Sequence, residues 1–212
     1  MQTLDRAAAD RLLTTTRAVR RRLDLSAPVD DQDIRESLAV AVQAPTGNSA
    51  QDWRFVVVTD AHSRARVGEL YGEAYRERVA RRAPVEPGTY DGSVLGRVRN
   101  SSAYLAQVMG QVPVLVLACL ETEVPPCSGG PEAARFYASI YPAVWNLQLA
   151  LRVRGYGSCL TTVGLGRATQ IGQALDLPST WNQCALMPVA RTLGSTFSPA
   201  PRSPLESVVR WV

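Results

Sequence analysis

The chain has 212 residues, 46% hydrophobic and 20% charged, which is the composition of a globular protein able to bury its own core. Its net charge is +4, and all 23 of its basic residues are arginine. The absence of lysine excludes Schiff-base catalysis and the P-loop lysine. The single histidine, His62, excludes zinc sites built on two or three histidines, so we expect a cofactor to carry any difficult chemistry.

Several features indicate the compartment. The longest apolar run, 112–120, is far shorter than the ~20 residues of a membrane span, and the first residues lack the apolar core of a signal peptide. The cysteines show no CxxC spacing; they are Cys119, Cys127, Cys159 and Cys184. We therefore expect a cytoplasmic protein with free thiols, no metal site and no nucleic-acid partner, and we expect His62 on the surface.

Apolar periodicity and capping residues predict six helices, over residues 4–15, 31–43, 63–82, 98–110, 132–154 and 168–175. Pro142 lies inside the fifth, which indicates a kink or a later helix start. Apolar, β-branched runs predict strands over 53–59, 112–120, 156–162 and 183–191, with a possible final strand over 205–212. Long helices around a few strands indicate one α+β sandwich domain spanning 1–212.

Two segments are rich in proline or glycine. Residues 83–99 are expected to form a lid or insert, and residues 195–212 a proline-stiffened arm. The apolar helix 132–154 and this arm offer more surface than one domain buries against itself, so we expect a dimer.

Four motifs could carry chemistry. Arg17, Arg20, Arg21 and Arg22 follow the first helix and could converge on a phosphate, although a solvated basic face is the plainer alternative. The loop 44–53 could hold a planar heterocycle, or be a simple helix-to-strand turn. The Gly-x-Gly at 155–157 lacks the third glycine of a dinucleotide fingerprint. The fourth motif is Arg202, in the proline-rich arm.

In order and spacing, these motifs together resemble the nitroreductase family of FMN flavoproteins. The resemblance runs from about residue 12 to 211 and rests on Arg-x-x-Arg, Ala-Pro-Thr-Gly…Gln-x-Trp, Gly-x-Gly…Thr-Thr and Arg-x-Pro-Leu. It implies a nitroreductase-like α-β-α sandwich with a mostly antiparallel sheet. It also implies a homodimer with domain-swapped C-terminal arms, in which each FMN site is built from both chains.

The resemblance also implies site residues. Arg17, Ala18 and Arg20 occupy the segment that binds the FMN phosphate and ribityl chain, and Arg202 completes the phosphate clamp. The flavin-facing residues are Thr46, Gly47, Asn48 and Gln51 in the loop, and Thr161, Thr162 and Val163 at a strand end.

This chain departs from the family pattern at three places. Ala18 stands where serine is frequent, Asn48 and Ser49 are exchanged, and Asp52 replaces a proline. The first change removes a hydroxyl contact to the phosphate. The other two bear on the hydrogen bonds at the flavin edge.

Three functions follow as hypotheses. The first is an FMN oxidoreductase that passes hydride from NADPH or NADH to a nitroaromatic, quinone or similar acceptor. The second is a specialised FMN-dependent dehydrogenase or oxidase acting on a biosynthetic intermediate with oxygen as acceptor, its substrate choice set by Tyr90 and Tyr104 near the lid. The third is a non-enzymatic flavin-binding protein.

Overall fold

A computed structural model describes residues 5–81, 92–123 and 130–212 of the chain. At its centre is a sheet of four strands: β1 (Trp53–Val58), β2 (Val114–Leu120), β3 (Tyr156–Ser158) and β4 (Asn182–Arg191). Their order is β1-β2-β4-β3, and every neighbouring pair is antiparallel. Every residue of β2 is buried, as its uninterrupted apolar run predicts.

In the described part of the chain, seven helices surround this sheet: α1 (Arg6–Thr15), α2 (Asp31–Ala41), α3 (Ala61–Ala80), α4 (Gly92–Val108), α5 (Gly130–Ala138), α6 (Tyr141–Val153) and α7 (Ala168–Ala174). Asp5, Asp30 and Asp60 cap α1, α2 and α3, each accepting a hydrogen bond from a backbone N–H of the first turn. Among the described residues, no helix is long and apolar enough to cross a membrane.

The helices form two layers, one on each face of the sheet. Alternate residues of β2 face opposite sides, so Val116 packs with α2, α5 and α6, whereas Leu117 packs with α3, α4 and α7. The chain is thus an α-β-α sandwich with an antiparallel sheet, as predicted. Helix α1 buries none of its own residues.

Four predicted elements differ from the structure. The predicted helix 132–154 is two helices, and Pro142 lies in the first turn of α6, where its missing N–H costs nothing. The predicted strand 156–162 ends at Ser158, beyond which Thr161 forms one isolated bridge to Leu186. Helix α4 begins at Gly92, so the described part of the predicted lid is helical.

The predicted final strand, 205–212, is wrong for the described chain. It consists of one 3-10 turn, Leu205–Ser207, followed by exposed chain. A strand needs a partner for its backbone hydrogen bonds, and no described strand lies beside this segment. Tyr90, the rest of the predicted lid and Cys127 lie outside the described residues.

Candidate functional site

The arginine segment 17–22 is fixed along the end of the sheet by backbone hydrogen bonds. The Val19 N–H donates to the Ser158 carbonyl at 2.9 Å, and the Leu193 N–H donates to the Arg22 carbonyl at 2.8 Å. Val19 itself is buried, while its neighbours Ala18 and Arg20 are exposed and half-buried. The segment is therefore an ordered edge of the fold.

The Gly-x-Gly motif makes this docking possible. Gly155 has a φ of +82°, the left-handed conformation that favours glycine at the turn into β3. At Gly157, an added Cβ would lie 2.7 Å from Thr192 Cγ2 and 2.9 Å from Val19 Cγ1. The second glycine thus leaves room for Val19, and the motif serves packing rather than dinucleotide binding.

Beside this segment lies an open groove of about 920 Å³. Its walls come from the arginine segment, from one side of α4 and from the C-terminal arm. Six arginines line it: Arg17, Arg20, Arg21, Arg22, Arg97 and Arg202. Within the described residues, no carboxylate lines the groove and none of the six forms an ion pair.

The fold thus brings Arg202 to the same groove as Arg17, Ala18 and Arg20, the segment predicted together with it for a phosphate site. It adds Arg97, which the sequence analysis missed. Arg97 lies in α4, within the residues predicted as a lid, and its place in the groove depends on how that helix packs. No local motif marks it.

Arg22 also contacts other groups of the protein. Arg22 donates to the Leu193 and Thr196 carbonyls at 2.7 and 2.9 Å, and its guanidinium lies 4.2 Å from the Phe197 ring centroid. Arg152 lies 4.4 Å from the same ring. Phe197 is therefore held by two guanidinium groups, which anchors the start of the arm beside the groove.

Arg21 lies 5.5 Å from the ring centroid of Tyr104, which is half-buried on α4. The residues lining the groove do not include Tyr104. Its predicted role toward a substrate stays a prediction.

The residues after β3 form a tight turn. Thr161 is buried, and its backbone exchanges two hydrogen bonds with Leu186, at 3.0 and 2.9 Å. Its hydroxyl accepts from the Val163 N–H at 3.3 Å and lies 2.9 Å from the hydroxyl of Tyr71 on α3. Thr162 is exposed and Val163 half-buried.

Arg20 is close to this turn. Burial raises the pKa of the Cys159 thiol, and the Arg20 guanidinium opposes that rise. Arg20 therefore connects the groove electrostatically with the strand end that precedes Thr161.

The loop after α2 has a strained backbone. Asn48, Ser49 and Gln51 have φ values of 54°, 53° and 54°, in the left-handed region that costs a non-glycine residue roughly 1–2 kcal/mol. Hydrogen bonds back to Thr46 hold it: its carbonyl accepts from the Ser49 N–H and its hydroxyl from the Gln51 N–H, both at 3.3 Å. Such strain often marks a binding site.

Within one chain, this loop and the arginine groove lie on opposite layers. An added Cβ on Gly47 would lie 3.5 Å from the Ser139 hydroxyl, and the Trp53 indole donates to the Ser139 carbonyl at 2.6 Å. Trp53 belongs to the core of the α2, α5 and α6 layer, whereas Val19 belongs to the opposite core. The fold therefore does not bring Thr46, Gly47, Asn48 and Gln51 to the groove.

Three features of the other titratable residues concern the described part of the chain. His62 is exposed on α3, as expected. The described residues contain no cluster of three potential metal ligands. Burial raises the pKa of the Cys119 and Cys184 thiols to about 12, which keeps both protonated and unreactive.

The groove fits FMN by its donor set. A phosphate monoester is bound best by several planar guanidinium donors without a competing carboxylate, and Arg17, Arg20, Arg97 and Arg202 provide this arrangement. The groove volume is in the range of cofactor sites. A site for a flavin phosphate is thus compatible with the residues present.

The comparison with known proteins agrees with this fold and gives the family. The model of the nitroreductase family matches residues 13–191, so this chain belongs to the nitroreductase family. The iodotyrosine deiodinase of Thermotoga neapolitana is 26% identical over 185 residues, 84% of each chain.

Two solved structures share the fold. A structure of oxidized iodotyrosine deiodinase bound to FMN and 3-iodo-L-tyrosine has a TM-score of 0.73 at 23% identity and covers 95% of this chain and 97% of its own. The FMN-dependent nitroreductase NfnB of Mycobacterium smegmatis, in complex with NADPH, has a TM-score of 0.70 at 19% identity and covers 97% of this chain and 98% of its own.

Proposed function

We propose that this protein is an FMN-dependent oxidoreductase that takes electrons from NADPH or NADH and delivers them to a small organic acceptor such as a nitroaromatic or quinone. The observation that carries this proposal is the groove, where arginines from both ends of the chain converge without a carboxylate partner among the described residues. A phosphate-bearing ligand explains why these charges are held together.

Each part of the chain has a separate role toward FMN. Arg17, Arg20, Arg97 and Arg202 hold the phosphate. The turn at Thr161 and the strained loop at Asn48 present backbone and side-chain donors to the ring system. Bound FMN would supply the two-electron chemistry that a chain with one histidine and no lysine lacks.

The proposal requires two chains. The loop with Asn48 lies on the layer opposite the groove, so each site would take its groove from one protomer and its loop from the partner. Exposed apolar side chains support a homodimer, because a second chain would cover them. They include Leu13 at 51%, Val153 at 68%, Leu205 at 66%, Val208 at 69% and Trp211 at 92% exposure.

A second candidate function is reductive deiodination of an iodinated tyrosine. Two similar proteins favour this candidate, because the Thermotoga neapolitana relative and a solved neighbour that holds 3-iodo-L-tyrosine are both iodotyrosine deiodinases. The reaction would replace a carbon–iodine bond by a carbon–hydrogen bond, consuming one proton and two electrons from reduced FMN and releasing iodide. Iodide release from 3-iodo-L-tyrosine, without reduction of nitroaromatics or quinones, would select this candidate.

The decisive experiment is the visible spectrum of the purified protein, followed by anaerobic addition of NADPH or NADH. We expect a yellow protein that bleaches. A flavin that stays oxidised would refute the nicotinamide donor, and a protein that takes up no FMN would refute the proposal as a whole.

The groove is tested by Arg202→Ala. Loss of one charge-assisted contact should weaken FMN binding by roughly 1.5–3 kcal/mol, about 10- to 150-fold. Arg78→Ala is the matched control, because Arg78 is an exposed arginine on α3 away from the groove. Equal FMN affinity in the two variants would show that Arg202 does not bind the phosphate.

A further inference from the structure

Phe197 lies where the C-terminal arm leaves the body of the fold, and two arginines from different elements clamp its ring. The Arg22 guanidinium lies 4.2 Å from the ring centroid, and the Arg152 guanidinium of α6 lies 4.4 Å from it. Stacking of a guanidinium on an aromatic face is attractive. The ring is half-buried and also packs against the core of the α3, α4 and α7 layer. We call these three residues the Phe197 clamp.

The same two arginines bind the backbone just before the ring. Arg22 donates to two carbonyls of the segment 193–196, at 2.7 and 2.9 Å, and Arg152 donates to a third at 3.0 Å. Gly194 has a φ of +76°, and an added Cβ there would lie 2.9 Å from Arg22 Nη2. The chain therefore turns tightly around the Arg22 guanidinium, and a glycine permits this turn.

The arm beyond the clamp is stiff but makes few contacts of its own. With the rest of the described chain, residues 198–203 form one hydrogen bond, from Arg202 to the neighbouring Pro201 carbonyl at 3.1 Å. Prolines at 199, 201 and 204 fix φ and keep the residues before them extended. Because a proline-rich segment acts as a semi-rigid spacer, the position of Phe197 determines where Arg202 lies. Both residues line the groove.

We infer that Phe197 and Arg22 are positioning residues, which hold the arm so that Arg202 reaches the phosphate of FMN in the groove. Arg22 thus differs from Arg17 and Arg20, because its guanidinium binds the arm. The inference rests on the proposed function, since it takes the FMN phosphate as the ligand. It adds that phosphate binding depends on how the arm is attached. By linkage, a bound phosphate should also hold the arm in place.

The test measures FMN and riboflavin binding separately, because riboflavin is FMN without its phosphate. Flavin-free, full-length protein is titrated with each flavin for wild type, Phe197→Ala, Arg202→Ala and the double variant. F197A should weaken FMN binding by roughly 3- to 30-fold, the range of two stacking contacts, and leave riboflavin binding within about 2-fold. Because Phe197 acts through Arg202, F197A should change FMN binding by less than about 2-fold in the R202A background.

Two further variants separate the clamp from general packing. Phe197→Tyr keeps a ring between the guanidinium groups and should bind FMN as wild type does. Phe197→Leu keeps an apolar side chain without an aromatic face and should resemble F197A. It also replaces F197A in the comparison if thermal melts show that F197A does not fold.

Phe55→Ala is the matched control. Phe55 is a half-buried phenylalanine on β1 that packs against the opposite core and does not line the groove. F55A should lose thermal stability but keep the wild-type ratio of FMN affinity to riboflavin affinity. A second measurement uses the linkage: FMN should slow proteolysis of the arm in the wild-type protein, and riboflavin should not.

The outcomes separate this inference from the proposed function. A wild-type protein that binds neither flavin overturns both. A wild-type protein that binds FMN, with an F197A variant that keeps the wild-type ratio of FMN to riboflavin affinity, overturns the inference alone. Effects of F197A and R202A that simply add also overturn it, because additivity would mean that Phe197 does not act through Arg202.

Discussion

Replacing Gly157 with alanine is expected to displace the arginine segment from the sheet. The added methyl would lie 2.7 Å from Thr192 Cγ2 and 2.9 Å from Val19 Cγ1, whereas carbon atoms pack at about 3.5–4.0 Å. Val19 and Thr192 must therefore each move by about 1 Å. Val19 carries the 2.9 Å hydrogen bond to Ser158 that positions its neighbours, so the groove must change with it.

The magnitude has two opposing contributions. Overpacking a buried contact costs roughly 1–3 kcal/mol, and the lower backbone entropy of unfolded alanine returns about 0.4–1 kcal/mol. The net destabilisation is roughly 1–2 kcal/mol, which for a chain of this length lowers Tm by about 2–8 °C. A displaced Arg17 and Arg20 should weaken FMN binding by roughly 5- to 30-fold, or about 1–2 kcal/mol.

The assay is a thermal melt together with an FMN titration monitored by flavin fluorescence. Gly96→Ala is the matched control, because Gly96 lies inside α4 and a Cβ there meets nothing within 4 Å. G96A should be neutral or more stable by up to about 1 kcal/mol. Adding Thr192→Ser to G157A removes the closest methyl group and should recover part of the loss.

The reasoning is refuted if G157A has the same Tm as G96A. It is also refuted if G157A loses stability but binds FMN with unchanged affinity. In that case the contact between Val19 and position 157 would serve packing without determining where the arginines lie.

Two further predictions concern stability and the arm. Hydrogen bonds from the backbone and hydroxyl of Ser63 hold the pKa of Asp60 below its usual value. The ionised carboxylate therefore stabilises the fold at neutral pH, and this stabilisation is lost as pH falls through the lowered pKa. The Tm difference between wild type and Asp60→Asn should be largest near pH 7 and vanish well below about pH 4. A difference that persists at low pH would mean that the charge is not the cause. Phe197→Ala removes the ring between Arg22 and Arg152, each contact being worth roughly 0.5–1 kcal/mol, and should release the arm to faster proteolysis near residue 197, measured by mass spectrometry; an unchanged cleavage rate would show that the backbone bonds to Arg22 suffice.

Much of the fold could be predicted locally. The uninterrupted apolar run of β2 predicts a strand buried on both faces, and Asp30 and Asp60 predict the starts of their helices, because capping depends on residues a few positions apart. Pro142 left two alternatives open, and the structure selects the later helix start. The prediction of a final strand over 205–212 was wrong because a strand needs a neighbouring strand, which sequence periodicity does not reveal.

The amino-acid sequence by itself determined the chemistry available to this protein. A chain whose basic residues are all arginine and that has one histidine offers limited side-chain chemistry, and the resemblance to the nitroreductase family predicts a phosphate site at Arg17, Arg20 and Arg202. The tertiary structure alone decided that Arg97 joins these residues, that Tyr71 reaches Thr161, and that the strained loop with Asn48 lies on the opposite layer. The reason is physical: side-chain type and local backbone preference are properties of short segments, whereas these contacts depend on how α3, α4 and the sheet pack across long stretches of the chain.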